Sequence, residues 1–248
     1  MISKIITHDG IFHADDVMSI ALMQEFIRPT LRVERTRNIS ADEFSNPDIW
    51  IVDVGGQWNR SLNNYDHHQD SSLPAACMLV LNELVNLGRI SVEMQEELFD
   101  AIYEISDIDC HGPMDKNGFQ FNTLIKSFNA IEDGFDKALW VCRNYIQSCK
   151  ENVANAAKSK EIWDDGEKMG NIRVCSDFPI HWKRYEEEMF LVYPQKDNWN
   201  VITRDSATAP LVDSVKATFM HANRFLAVFK NKKDATDCAK RSSILSKI

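Results

Sequence analysis

Residues 48–56 read DIWIVDVGG: four apolar side chains in a row after an opening acid, then Asp53, a valine and two glycines. A run without polar alternation, Ile49 to Val52, suits a strand buried on both faces, and such strands belong to parallel sheets covered by helices. The pair Gly55-Gly56 stops the run, so the spacing predicts a central strand ending at Asp53. A carboxylate there is costly unless a cation or a set of donors holds it. Ligands of open α/β sheets collect beyond the carboxyl ends of the strands, which makes Asp53 the first candidate for chemistry.

Working outward, "KIITH" (residues 4–8) is a short strand ending at His8, and Gly10 breaks it. Val17, Ile20, Ala21 and Met23 to Phe26 then recur at helical spacing. "LRVERTR" (31–37) alternates like a second strand, and helices are predicted over about 74–88 and 91–106. Strands alternating with helices define an α/β domain with a mainly parallel sheet flanked by helices, assigned to residues 1–128. Residues 129–165 read as long amphipathic connecting helices, ended by "DDGEKMGN". Beyond them, "IRVCSD", "MFLVYPQ", "WNVITRD" and "RFLAVF" read as short strands before a closing helix, a smaller α+β domain over 166–248.

At 248 residues and 44% hydrophobic content, the chain is long enough for one large domain or two ordinary ones. The N-terminus has no cleavage site or long apolar core, so no signal peptide is expected, and no stretch approaches the roughly 18 apolar residues of a membrane span. Six scattered cysteines without a C-x-x-C pair suit reduced thiols, hence a cytoplasmic compartment. A net charge of −9 argues against non-specific binding to duplex nucleic acid. That charge is uneven. From Lys216 onward eight Lys/Arg face two acids, leaving that segment at +6 and the remainder at −15. A basic terminal segment beside a carboxylate-rich body is compatible with a metal site next to an anion-holding surface, and equally with a solvated helix face.

Four clusters fall at strand or helix ends: His8, His13 and Asp15; Asp53; Asp66-His67-His68; and Asp107/Asp109. Taken singly each has an ordinary structural use, as a turn residue or a helix cap for instance. Taken together they supply imidazole and carboxylate ligands of the kind that first-row divalent ions prefer. They are too many for one ion. Two ions roughly 3.5–4 Å apart would use them, and such a pair serves in-line displacement at phosphorus.

"THDGIFHADD", "IVDVGG", "YDHHQ" and "SDIDCHG", in that order, resemble the four N-terminal motifs of the DHH phosphoesterase superfamily, and within it most resemble the Myg/GAMM (melanocyte-proliferating-gene) protein family. "VERTRN", "LVYPQKDNWNV" and "FMHANRFLAVFKNKKDATDCAKRS" extend the likeness along nearly the whole chain. The resemblance implies a DHH-type catalytic domain followed by a substrate-binding domain. It also implies two divalent ions, most often Mn, with Mg, Co, Fe or Zn as alternatives. His8, His13, Asp53 and an acid of the fourth motif would hold one ion. Asp15, Asp53, His67 and that same acid would hold the other. Asp109 is favoured over Asp107 because it sits nearest Gly112. His68 would face substrate, and Asp66 would orient a neighbour.

This chain reads "DIDCHG" where the family usually has D-x-x-D-N-G, and the segment after "DHHQ" is shortened to "DSSLPAA". "HANRF" occupies the place of the family's substrate-binding loop, so His221 and Arg224 are expected to touch substrate. Arg35 and Arg37, two apart on a predicted strand, could hold a second phosphate. Trp199 and Phe225 are candidates for base stacking, though core packing explains either; His111, His181 and Trp182 are left as structural. The activity implied is 3′-to-5′ exonuclease action on RNA or single-stranded DNA, with nuclear or mitochondrial locations also known among relatives. The alternatives are a hydrolase of a small phosphodiester, such as a short oligonucleotide or cyclic dinucleotide, and a metal-binding interaction protein without turnover.

Overall fold

In the computed structural model, which describes residues 2–113, 120–185 and 188–246, the opening stretch forms the middle of a sheet. The elements of the first half are β1 (Lys4–Thr7), α1 (Ala14–Phe26), β2 (Arg32–Arg35), α2 (Ala41–Phe44), β3 (Ile49–Val52), β4 (Trp58–Asn59) and β5 (Asn64–Tyr65). They are followed by α3 (Ala76–Asn86), α4 (Val92–His111), α5 (Phe121–Ser127) and α6 (Gly134–Asp164). The sheet order is β2-β1-β3-β5-β4; β1 runs parallel to β2 and β3, β3 runs parallel to β5, and β4 is an antiparallel edge.

Alternate side chains of β3 point to opposite faces, and both faces are dry. Trp50 and Val52 join the large core built from β1, α1, α3 and α4, where Ile5, Val17, Ile20, Leu81 and Leu98 meet. Ile49 and Ile51 join a smaller cluster with Ile6 and Val54, closed over by Ile39 and Phe44. Helix α1 is buried from Ala14 to Gln24 rather than on one stripe. Its two acids are therefore enclosed with it.

The chain divides into two compact units, Met1–Val153 and Ala154–Ile248. The division falls within α6, whereas the break in composition falls where that helix ends. The second unit carries a six-stranded sheet ordered β10-β11-β9-β8-β7-β6. Its strands are β6 (Glu167–Met169), β7 (Ile172–Val174), β8 (Phe190–Gln195), β9 (Asn198–Thr203), β10 (Phe219–Met220) and β11 (Leu226–Phe229). Helix α7 (Lys232–Leu245) buries Ala235, Cys238 and Ala239 with Phe190, Val201 and Phe229. All six cysteines are free. Among the described residues, no helix is long and apolar enough to cross a membrane.

Three expectations change. Helix α4 does not stop near residue 106 but runs to His111, so Asp107 and Asp109 lie in its last turns rather than after it. Strand β2 ends at Arg35, and Arg37 therefore does not share a strand face with it. Strand β5 ends at Tyr65, so Asp66, His67 and His68 project from a loop and not from alternating faces of a strand.

Candidate metal centre

The site begins with the backbone at Asp53. Its amide donates to the carbonyl of Tyr65 at 3.0 Å, and the chain then turns sharply with φ +54°. A non-glycine residue in the left-handed region is uncommon and costs free energy, a cost typical of functional positions. Gly55 completes the turn at φ +100°, and a Cβ there would lie 2.7 Å from the Phe44 ring. Only glycine fits that approach. The turn aims the Asp53 carboxylate back over the sheet's carboxyl edge, where it is 4% exposed.

The two oxygens of Asp53 face different partners. Oδ2 lies 3.4 Å from His8 Nε2, which is itself 3.3 Å from Asp16 Oδ2. Oδ1 lies 3.4 Å from His67 Nε2, which faces Asp109 Oδ2 at 3.3 Å and Asp15 Oδ2 at 3.9 Å. Three groups of ligand-type atoms result, each within 4.8 Å: His8, Asp16 and Asp53; Asp15, His67 and Asp109; and Asp53, His67 and His68. Asp53 joins the first to the third, and His67 joins the third to the second.

Supporting contacts fix the imidazoles. His8 Nδ1 faces the carbonyl of Asp9 at 3.0 Å, which leaves Nε2 for the cluster. Arg35 holds the same loop, donating from Nε to the His8 carbonyl at 3.3 Å and from Nη2 to the Gly10 carbonyl at 2.7 Å, with its guanidinium 4.5 Å from the Phe135 ring centre. Arg37 instead pairs with Asp9 at the surface. Asp66 accepts from the Gly56 amide at 2.6 Å and pairs with His68 Nδ1 at 2.7 Å, so the half-open His68 ring is oriented through one nitrogen and offers Nε2 outward.

The carboxylates of α1 are placed by helix physics. Asp15 accepts from the amides of Cys77 at 2.6 Å and Ala76 at 3.1 Å, the first residues of α3, where a negative charge meets the exposed donors of a helix start. Asp16 Oδ1 accepts from the amides of His13 and Val17 at 2.8 and 2.9 Å. Its second oxygen faces His8.

Protonation follows from this crowding. The Asp53 carboxylate raises His8 to about 9 despite burial, and Asp109 with Asp53 raises His67 to about 11. Burial lifts Asp16 to about 7 and, aided by the charges of Asp53 and Asp109, lifts Asp15 well above the usual range. Burial acts the same way on Asp53, yet the His67 and His8 rings outweigh it and hold Asp53 at about 2. Protons on the two imidazoles stand where positive charge is wanted.

The residues fit a divalent cation. Asp16 Oδ2, Asp53 Oδ1 and His67 Nε2 are buried atoms with no hydrogen-bond partner, and they belong to the same cluster. Buried polar atoms are almost always satisfied, and mixed oxygen and nitrogen donors suit first-row divalent ions.

Of the expected ligands, His8, Asp15, Asp53, His67 and Asp109 are brought together, while His13 is not. Helix α1 starts at Ala14, which leaves His13 exposed at the cap with its ring centre 6.0 Å from that of His8. Asp107 turns away and pairs with His111 at 3.0 Å. Asp16 was not among the expected ligands, and its place three residues into a helix disguised it as a cap. Asp16→Asn is expected to weaken divalent-ion binding about 10- to 100-fold by calorimetry while keeping the helix start, since the amide oxygen still accepts from His13 and Val17. In the second unit, Arg224 sits in a turn at φ +55° and pairs with Asp213 at 2.8 Å, and the His221 ring packs 4.2 Å from that of Phe225.

Fold and site together define an α/β protein with a buried carboxylate and imidazole cluster of a kind that fits a divalent cation. The family model MYG1_exonuc, described as an uncharacterised protein family (UPF0160), matches residues 4–76, which carry β1 through the start of α3 and most of the cluster. The MYG1 protein of Chlamydia trachomatis is 26% identical over 212 residues, covering 78% of this chain and 72% of that protein. The MYG1 exonuclease of Mus musculus is 36% identical over 66 residues, 27% of this chain and 17% of that protein. A pGpG-specific phosphodiesterase from Vibrio aligns over 100% of this chain and 99% of its own at 12% identity, with a TM-score of 0.36. The chain is thus similar to MYG1 proteins, over residues 4–76 in the family model and over 78% of its length in the chlamydial protein.

Proposed function

We propose that this protein is a phosphodiester hydrolase that uses two divalent ions, most often Mn, to remove nucleotides from the 3′ end of RNA or single-stranded DNA. One observation carries the reading: the two oxygens of Asp53 face two separate ligand groups, as a bridging carboxylate would. The name of the murine relative supports the nuclease activity. His8, Asp16 and Asp53 would hold one ion, and Asp15, His67 and Asp109 the other, reached by Asp53 through the oxygen that lies 3.4 Å from His67 Nε2. When bound, such ions polarise phosphoryl oxygens and activate water at neutral pH.

The remaining steps belong to the chain. Asp66 fixes the His68 ring through Nδ1, and His68 Nε2 then donates to a phosphoryl oxygen as charge builds on it. In this reading residues 1–128 form the catalytic domain and residues 166–248 supply a substrate-binding surface around His221 and Arg224. Six free thiols support a reducing compartment such as the cytoplasm. The −15 balance outside the C-terminal segment favours a second reading, a small phosphodiester as substrate.

A gel time course with Mn on short single strands labelled at the 5′ end tests the proposal. Shortening from the 3′ end supports it, cleavage of a dinucleotide alone supports the second reading, and no cleavage of either defeats both. His68→Ala is expected to keep metal affinity by calorimetry and to lose rate by about 10²-fold or more. Loss of metal in that variant would instead make His68 a ligand.

A further inference from the structure

A groove of about 390 Å³ runs along the outer face of α4, walled on its other side by the loop at residues 71–74 and floored by Met78 and Ser106. Phe99 and Tyr103, one helical turn apart, stack at its far end with ring centres 5.8 Å apart and planes within 22°. They are 42% and 55% exposed. The core does not require them, because α4 buries Met94, Leu98, Ile102 and Ile105 on a different face. At the near end lies Cys110, whose Sγ is 3.9 Å from His67 Nδ1. The groove therefore ends at the back of a metal-facing imidazole.

Chemistry selects the occupant. Among the described residues, the only basic side chain lining the groove is His111, already paired with Asp107, so these residues offer phosphates no fixed cation. Flat, uncharged rings find a stacked aromatic pair and apolar walls from Leu73, Pro74 and Met78. Along α4, Tyr103 and Phe99 lie about 9 and 15 Å from Asp109 at roughly 1.5 Å per residue, a span of roughly three and four stacked nucleotides at about 3.4 Å each.

We propose that this groove binds the bases of a single-stranded nucleic acid whose terminal phosphodiester lies at the metal centre, with Phe99 and Tyr103 as the stacking platform. This assignment rests on the nuclease reading above and adds the place where the strand is gripped by its bases. Base stacking on an aromatic side chain contributes about 1–3 kcal/mol per base, equivalent to about 5- to 100-fold in affinity.

The test is fluorescence anisotropy in EDTA, using labelled single-stranded RNA and an abasic strand of equal length, with the full chain and its Phe99→Ala and Tyr103→Ala variants. Both side chains are exposed, so the variants are expected to fold, which circular dichroism checks. The wild type should prefer the base-bearing strand, and each variant should lose about 5- to 100-fold of that preference. An unchanged preference in both variants, or no preference in the wild type, overturns the proposal. Because the readout is binding without turnover, a preference that persists in a protein with no nuclease activity defeats the nuclease reading and leaves the groove standing. Full nuclease activity with undiminished preference in the variants does the reverse.

Discussion

Asp53→Asn is expected to abolish tight divalent-ion binding and to lower hydrolysis by at least about 10³-fold in the same protein. The substitution is nearly isosteric, and asparagine tolerates the left-handed backbone at this position better than most residues. The turn and the strand before it should therefore survive. What disappears is the charge shared between His8 and His67, which face the two oxygens at 3.4 Å each. Calorimetry with Mn and the gel assay should fail together. A variant that binds one ion as tightly as the wild type would show that Asp53 does not bridge.

The second large effect is a reversal of pH dependence on metal binding. In the metal-free protein, His8 is raised from 6.5 to about 9 and His67 from 6.5 to about 11. A raised histidine contributes stability that is present below its unfolded value and is lost as pH climbs through the folded one. Burial of Asp15 and Asp16 acts in the same direction, because the folded state holds their protons longer than the unfolded chain does. Asp53 opposes them only at low pH, since its contribution is lost as pH falls from 3.8 toward about 2. Metal-free protein should therefore melt at a lower temperature at pH 9 than at pH 6.5. Saturating Mn displaces those protons and should remove the alkaline loss, raising Tm at pH 9 by about 10 °C at roughly 1,000 times Kd. Parallel melting curves with and without metal across that window would rule out the cluster as the cation site.

The sequence made some of this legible and hid the rest for identifiable reasons. The run Ile49 to Val52 announced a strand buried on both faces, since only a central strand tolerates apolar side chains at every position. The His8, Asp53 and His67 positions stood out because imidazoles and acids at element ends have few bland uses in combination. Asp16 was hidden because an acid in the first turn of a helix already has a reason to be there. The choice between Asp107 and Asp109 needed the true end of α4. Leu98, Ile102, Ile105 and Asp109 follow the helical repeat onto one face, and Asp107 falls outside it. Strands β4 and β5, of two residues each, leave no periodic trace. The DHH residues were thus read on a strand when they lie beyond one.

Asp15 has a consequence that extends past the cation. It is fastened to the amides of Ala76 and Cys77, and the next residue, Met78, floors the aromatic groove. A single turn of α3 is thus shared by the charge centre and the surface proposed for bases. Where the cation firms that turn for a strand, linkage is reciprocal: whatever factor the cation adds to the hold on a strand, the strand must return to the hold on the cation. Such an enzyme would keep its metal best while engaged with its polymer and release it most readily when idle.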